Sequence, residues 1–260
     1  MTTTIACRRQ RRTYHMTLAR PEVLNAIDAT MLTEIRHALE EAAADPEVGV
    51  ILIDSASDRA FSAGIDVAWV RDMSGPEVRE VGRELHRTFL ALRTTEKPIV
   101  AAIDGLCLGA GLELALSCDF MIASDRSTFG LPNIDRGIPA IVEAAILPLA
   151  VGIQGARELA YTGARWDAAK ALARGLIHAA VPQADLGTEV ERWVDLLGSK
   201  PAPALATQKE IIHKWMTTDL EAAIDFSINT VVLNWLTREQ KEGMGSFLEK
   251  RPAEFEGGEK

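Results

Sequence analysis

The chain has 260 residues, which is long enough for one large domain with a complete hydrophobic core. Its 47% apolar and 25% charged residues are ordinary for a globular protein. The net charge of −9 argues against nucleic acids and anionic membranes as partners, although a small anionic ligand needs only a few local cations or a helix N-terminus.

The cysteines and the lengths of the apolar runs indicate the cellular compartment in which we expect the protein to act. Cys7, Cys107 and Cys118 form neither a CxxC motif nor a metal-binding pattern with histidine, so we expect no disulfides, no metal site and a reducing, cytoplasmic compartment. The chain starts without a signal-type apolar run, and no stretch reaches the roughly 20 apolar residues that span a bilayer. We therefore expect no membrane partner.

Strand and helix patterns alternate in the first half of the chain, which indicates α/β layering. The predicted strands are Ile5–Gln10, Thr13–Leu18, Val48–Ile53, Pro98–Ile103 and Asp119–Ala123. Helices are predicted from Met31 to Ala42 and from Pro76 to Arg93. The segments Phe129–Pro132 and Gly137–Pro139 are predicted as loops because glycine and proline interrupt both patterns.

The second half of the chain is predicted to be helical from Ile141 onward. The predicted helices are Val142–Leu149, Gln154–Tyr161, Trp166–Arg174, Leu186–Leu197, Pro203–Met216 and Leu220–Leu236. We divide the chain into a core over residues 1–200 and a helical oligomerisation region over residues 201–260. Helices that cannot bury their apolar faces alone often pack on a neighbouring subunit.

The segment Gly105–Glu113 is the most informative part of the chain. It follows an apolar run and is predicted to be a glycine-rich turn that opens a helix, so its backbone N–H groups lack intrahelical partners. Glu113 lies in the first helical turn and is a candidate general acid or base, although the end of its own helix could equally stabilise it. The segment lacks the spacing of a nucleotide phosphate loop, and no GxSxG nucleophile motif occurs.

The order of several short motifs resembles the crotonase (enoyl-CoA hydratase/isomerase) superfamily. The motifs are Arg20–Ala26, Ala60–Asp66, Lys97–Gly105, Gly109–Ala115, Cys118–Asp119, Phe129–Pro132 and Glu242–Lys250. The resemblance implies a crotonase-like ββα spiral with two near-perpendicular sheets, followed by a C-terminal helical trimerisation region. It also implies a homotrimer or dimer of trimers that binds acyl-CoA in fatty acid metabolism. No cofactor is implied, because coenzyme A is part of the substrate.

The resemblance also implies an oxyanion hole for a thioester enolate. Its donors are the backbone N–H groups of Ile65 and Ala110, and Glu113 matches one of two catalytic glutamates of the hydratases. The matching substrate-binding positions in the two turns are Ala63, Gly64, Gly109 and Gly111, with the carbonyl of Ala63 facing the adenine. Each glycine-rich turn taken alone is better explained by close packing of the backbone. The presence of both turns in this order favours an oxyanion hole.

Asn133 is the main departure from the family pattern, because relatives carry the second glutamate there. An asparagine can bond a water or a hydroxyl but cannot exchange a proton near neutral pH. Glu143 is the candidate replacement, since an acid in an apolar segment is unusual for a surface; a solvated surface glutamate is the alternative. The histidines, His86 among them, are interpreted as surface or boundary residues.

The remaining candidate binding residues each have a structural alternative. Asp66 is a substrate-binding candidate but fits a helix cap better, and Trp69 lines either the acyl pocket or the core. Ile138 and Pro139 indicate an apolar acyl pocket. Lys250 matches a family position near the CoA phosphates, or is a solvated cation.

These residues favour hydration of a 2-enoyl-CoA, with Glu113 as one acid/base group. Double-bond isomerisation is the close alternative, because one carboxylate can carry a proton between two carbons. Hydrolysis on the same scaffold and a non-catalytic CoA-binding subunit also stay open. The direction of the Glu143 carboxylate relative to Glu113 distinguishes a two-carboxylate site from a one-carboxylate site.

Overall fold

Two β-sheets organise the chain, as seen in a computed structural model that describes residues 3–255. The strands are β1 Ile5–Gln10, β2 Thr13–Leu18, β3 Val50–Ser55, β4 Ala60–Ser62, β5 Ile99–Ile103, β6 Leu106–Leu108, β7 Phe120–Ser124, β8 Thr128–Gly130, β9 Arg165–Asp167 and β10 Ala179–Val181. Within the described residues, the larger sheet has the order β1-β2-β3-β5-β7-β10 and the smaller one β4-β6-β8-β9.

Most neighbouring strands in both sheets are parallel. Antiparallel pairing occurs between β1 and β2, where Ile5 faces Leu18, and between β8 and β9, where Phe129 faces Trp166. Parallel strands require crossovers, and helices supply several of them. The helices are α1 Ala29–Ala44, α2 Val67–Val70, α3 Gly75–Thr94, α4 Ala110–Leu116, α5 Leu147–Thr162, α6 Ala168–Ala173, α7 Leu186–Gly198, α8 Ala202–Thr217, α9 Leu220–Asn234 and α10 Arg238–Glu249.

The larger sheet is covered on both faces, which explains the continuous apolar run of β3. Successive side chains point to opposite faces, so Ile51 and Ile53 join the main core while Val50 and Leu52 pack in a second cluster with α7. Helices α1 and α3 lie against each other on the main-core side. The start of α1 is fixed by Asp28, whose side chain accepts a hydrogen bond from the backbone N–H of Met31.

The predicted strands of the larger sheet are confirmed to within two residues, and β1 and β2 have the predicted bounds. The loop predicted at Phe129–Pro132 is wrong, because β8 pairs with β6 and β9 there. The helix predicted from Trp166 is partly wrong, since its first residues form β9. Three-residue strands are too short to show an alternating pattern, which is why the sequence does not reveal them.

The helices predicted over Val142–Leu149 and Gln154–Tyr161 are divided differently in the structure. A short 3₁₀ helix spans Glu143–Ile146, and α5 then continues with a kink at Gly152, whose φ of 70° is outside the helical region. Apolar spacing is similar on both sides of that glycine, so periodicity alone could not place the break.

The C-terminal helices leave much apolar surface uncovered. Helix α8 lies against α3, and α9 lies against α8. Exposed apolar side chains of α9 and α10 are Leu220, Ile224, Ile228, Val231, Val232, Leu233, Met244, Phe247 and Leu248. The division into residues 1–200 and 201–260 stays a prediction, and the outermost residues of both regions lie outside the described part. Within residues 3–255, no helix combines the length and apolar character needed to cross a bilayer.

Candidate active site

The first glycine turn, residues 63–66, follows β4. Gly64 has a φ of +104°, a conformation that suits glycine. The backbone on either side of Ile65 is bonded to Ile27: the N–H of Ile27 donates to the carbonyl of Gly64 at 2.7 Å, and the N–H of Asp66 donates to the carbonyl of Ile27 at 2.8 Å. The N–H of Ile65 itself has no partner among the described residues.

The second glycine turn, residues 108–111, joins β6 to α4. Gly109 has a φ of +54° and caps the helix, and its carbonyl accepts from the N–H groups of Leu112 and Glu113 at 3.0 and 3.1 Å. Ala110 is the first helical residue, and the first N–H groups of a helix have no intrahelical acceptor. No acceptor for the N–H of Ala110 is found within residues 3–255, so this group is free to bind a ligand.

Glycines hold the two turns in direct contact. A methyl group on Gly64 would lie 2.9 Å from the carbonyl oxygen of Leu108 and 3.4 Å from the nitrogen of Ala110. A methyl group on Gly111 would lie 2.6 Å from Cβ of Ser62. The backbones can approach this closely only without side chains, so Ile65 and Ala110 carry their free N–H groups on touching turns.

Glu113 is buried beside the second turn, with 3% of its surface exposed. The pKa of its carboxyl group is raised to about 7, mainly by burial and to a lesser extent by the negative charge of Glu143, while backbone N–H groups of residues 142–144 act in the opposite direction. Its Oε2 atom has no hydrogen-bond partner in the described part of the chain. A buried carboxyl group that ionises near neutral pH is suited to accepting and donating protons.

Glu143 is also buried, with 2% exposure, so its interpretation as a solvated surface residue is wrong. It opens the 3₁₀ helix whose backbone N–H groups face Glu113. Its Oε1 atom accepts from Nη2 of Arg93 at 2.9 Å and lies 3.0 Å from Nδ1 of His86. Its Oε2 atom has no partner. Two buried carboxyl groups thus lie close enough to interact, and each keeps one free oxygen.

Arg93 was not predicted as a site residue, and His86 was interpreted as a surface or boundary residue. Both belong to α3 and are seven residues apart, so they lie on one side of the helix. Their spacing was the available signal, but an arginine and a histidine on a charged helix are common, and nothing in the sequence links them to Glu143.

Asn133 lies at the second turn. Its Oδ1 atom is 3.1 Å from the point where a Cβ atom on Gly109 would be placed, and no other described contact fixes its amide group. The residue is half-buried in a 3₁₀ helix, Pro132–Arg136. The asparagine therefore lies where a polar group could bind something held between the turns.

The other predicted substrate-binding residues do not all lie at the two glycine turns. Asp66 accepts from the N–H of Ala68 at 3.0 Å, which confirms it as the cap of α2, and it also pairs with Arg20 at 3.0 Å. Ala63 and Trp69 are half-buried, and Trp69 packs against the core. Ile138 and Pro139 are exposed, and Lys250 ends α10 in solvent, with no contact to either turn among the described residues.

A mainly apolar cavity lies away from the turns. It has a volume of about 400 Å³, lies between α3, α4 and α8, and touches Arg93. Its lining contains neither Ile65 nor Ala110 nor Glu113. We place the candidate site at the turns, because unpaired N–H groups and buried carboxyl groups are the features that perform chemistry.

Comparison with known proteins identifies the family of the chain. A family model described as enoyl-CoA hydratase/isomerase matches residues 8–258. A crotonyl-CoA hydratase of Syntrophomonas wolfei is 36% identical over 237 residues, 91% of each chain. A short-chain-enoyl-CoA hydratase of Clostridium acetobutylicum is 32% identical over 240 residues, 92% of each chain. The crystal structure of an enoyl-CoA hydratase of Mycobacterium smegmatis has a TM-score of 0.93 at 28% identity and covers 97% of this chain and 98% of that one.

Proposed function

The chain belongs to the enoyl-CoA hydratase/isomerase family, and from this we propose that it is an enzyme that adds water to a 2-enoyl-CoA. The observation that carries the proposal is the pair of unpartnered N–H groups on touching turns, with the buried carboxyl group of Glu113 in the first turn of the adjoining helix. The relatives named as hydratases support the choice of reaction.

In the proposed mechanism, the N–H groups of Ile65 and Ala110 bind the thioester carbonyl oxygen. Negative charge develops on this oxygen when a nucleophile attacks Cβ, and fixed donors stabilise that charge more than they stabilise the neutral carbonyl. Loss of one such donor typically costs on the order of 10²–10³ in rate.

The two buried glutamates divide the proton transfers. Glu143, which carries its charge against Arg93, accepts a proton from the attacking water. Glu113, whose pKa is about 7, donates a proton to Cα. A pair of carboxyl groups in unlike environments is a common way to obtain a base and an acid together. The Asn133 amide, beside Gly109, orients the water or the new hydroxyl group.

The proposed substrate contacts are those that the family resemblance implies. The carbonyl of Ala63 binds the adenine, the turn residues Gly64, Gly109 and Gly111 let the thioester approach the backbone, and Asp66 orders the first turn by capping α2. The acyl chain runs past Trp69 toward Ile138 and Pro139, and Lys250 binds a CoA phosphate.

Double-bond isomerisation is the second candidate, and Asn133 favours it. With an amide in place of the second glutamate, Glu113 alone could remove a proton from one carbon and return it to another. Product analysis separates the two reactions, because hydration consumes the conjugated double bond and isomerisation of a 3-enoyl-CoA creates it.

We test the proposal with Glu113→Gln and with Glu96→Gln, an exposed control. The loss of conjugated-thioester absorbance is measured for a series of 2-enoyl-CoA substrates. Loss of the Glu113 carboxyl group should cost at least about 2–3 kcal/mol of transition-state stabilisation. Glu96→Gln should have the same turnover as the unaltered protein. Near-normal turnover by Glu113→Gln would refute the assignment. Tight CoA binding with no turnover of any substrate would instead identify a non-catalytic subunit.

The proposal extends to assembly and location. The exposed apolar side chains of α9 and α10 support a homotrimer or a dimer of trimers, because such surfaces are usually covered by a neighbouring chain. The free thiols of Cys7, Cys107 and Cys118 support a reducing cytoplasm, where an enzyme of fatty acid metabolism would act.

A further inference from the structure

His86 connects a buried carboxyl group to solvent. The side chain of Glu143 is 2% exposed, and that of His86 is 55% exposed, yet Nδ1 of the imidazole lies 3.0 Å from Oε1 of the carboxylate. The other partner of Oε1 is Arg93, whose guanidinium group remains protonated in proteins and cannot accept a proton. Of the two partners, only the imidazole can both accept and release one.

We propose that His86 carries protons between Glu143 and solvent during turnover, an inference that rests on the proposed hydratase function. Hydration leaves Glu143 with a proton taken from water and leaves Glu113 without the proton given to Cα. Both carboxyl groups are buried, so each exchanges protons only through a neighbouring group or through water admitted to the site. The side chains must return to their starting protonation states before the next substrate reacts.

The reset is balanced in protons and in water. Glu143 transfers its proton to Nδ1 of His86, and the imidazolium then loses a proton to solvent. Glu113 takes a proton from a water molecule that enters the site as the product leaves, and hydroxide returns to solvent. The released proton and hydroxide recombine, so each cycle consumes one water molecule, which is the water added to the substrate.

The surroundings of His86 fit this role. It lies in an open surface groove between α3 and the segment before the 3₁₀ helix, lined by Arg79, Arg83, Ile141 and Val142. The charged groups facing the imidazole are thus the two arginines of the groove, Arg93 and Glu143 on its inner side, with Glu113 behind them. The imidazole therefore contacts the buried carboxylate on one side and open solvent on the other.

The test compares His86→Gln with Arg83→Gln, which alters the same groove without touching Glu143. Hydration is measured in a weak, non-imidazole buffer and again with increasing imidazole, a small proton carrier. We expect kcat of His86→Gln to fall at least about tenfold with little change in KM, and imidazole to restore most of it in a saturable manner. Arg83→Gln should retain full activity and show no response to imidazole.

Every alternative result would overturn the proposed proton relay through His86, and each points to a different cause. Full activity of His86→Gln in weak buffer would show that protons reach Glu143 without the imidazole. A loss that imidazole does not restore would mean that His86 only positions Glu143. If the unaltered protein hydrates no enoyl-CoA, the proposed function fails and the relay fails with it; hydration without an effect of His86→Gln overturns the relay alone.

Discussion

At the scale of single residues, Glu113 brings a carboxyl group into the interior with a pKa of about 7, against an ordinary value of 4.5. Burial is the main cause, and it disfavours the charged form. The native state therefore binds this proton more tightly than the unfolded chain does. As pH rises above 4.5 the unfolded chain ionises first, so stability is lost until the native carboxyl group has also ionised near pH 7.

We expect the free energy of unfolding to show this loss. Because each pKa unit corresponds to about 1.4 kcal/mol, ionisation of Glu113 should cost the native state on the order of 3 kcal/mol between pH 4.5 and pH 8. Glu113→Gln carries no ionisable group at this site and should gain that amount relative to the unaltered protein over the same range. Urea denaturation at several pH values measures the difference, and parallel curves for the two proteins would contradict it.

Ala110 offers a separate test of the backbone donors. It is the first residue of α4, a position where proline is well tolerated because the N–H has no helical acceptor. Ala110→Pro should therefore fold but lose the donor, and kcat should fall on the order of 10²–10³. Ala110→Gly keeps the N–H and is the matched control; equal kcat values for the two variants would exclude this donor.

At the scale of elements, the contact between β4 and α4 determines the spacing of the two turns. Gly111 lies in α4 directly over Ser62 at the end of β4, and no side chain fits between them. Because Gly111 carries no side chain, the helix can lie against the strand at this residue, and a methyl group there would alter the position of Ala110 relative to Ile65.

Gly111→Ala should therefore push α4 away from the first turn. Overpacking of this kind typically costs about 1–3 kcal/mol, and we expect a comparable loss of unfolding free energy together with a drop in kcat. Gly245→Ala, in α10 with open space around it, is the control and should be neutral or slightly stabilising. Thermal unfolding and hydration assays check both variants, and normal behaviour of Gly111→Ala would show that the contact is not tight.

The sequence predicted the long elements better than the short ones. β1, β2 and α3 have five or more residues each, and their periodicity is visible in the printed chain. The smaller sheet consists of three-residue strands, and these were missed although they carry both glycine turns. Their pairing is set by tertiary packing rather than by local pattern.

The candidate site was also predicted only in part. The turn residues and Glu113 lie in short sequence motifs, so the family resemblance was enough to identify them as site residues. The contacts of Glu143 with Arg93 and His86 join residues 50 and 57 positions apart and depend on how the segment before α5 folds back onto α3. A local sequence pattern does not reveal such long-range contacts, so the burial of Glu143 is visible only in the structure.

At the scale of the whole molecule, the exposed apolar residues of α9 are not scattered. Leu220, Ile224, Ile228 and Val231 recur every three or four residues and form one stripe along the helix, which Trp235 continues just past its end; Val232 and Leu233 are exposed beside it. Monomeric proteins rarely expose apolar patches of this kind, so the stripe supports the proposed packing of another copy of the chain against this surface.

Ile228→Glu should weaken self-association, because it places a charge in the middle of the stripe. Sedimentation velocity should give the unaltered protein a mass of three or six times the 28.3 kDa of one chain, and a smaller species for the variant. Leu172→Glu, an exposed apolar position on α6, is the control and should assemble normally. A monomeric unaltered protein would exclude the expected assembly.

The two unpaired N–H groups have a consequence for how this enzyme can vary. Ile65 and Ala110 contribute main-chain atoms, and every amino acid except proline supplies the same group. Replacing Ile65 by alanine would remove side-chain packing but leave its N–H in place, and Ala110 already is an alanine. Under the proposed mechanism the two donors therefore require a backbone shape rather than particular side chains, and the neighbouring side chains can differ while the donors stay in place.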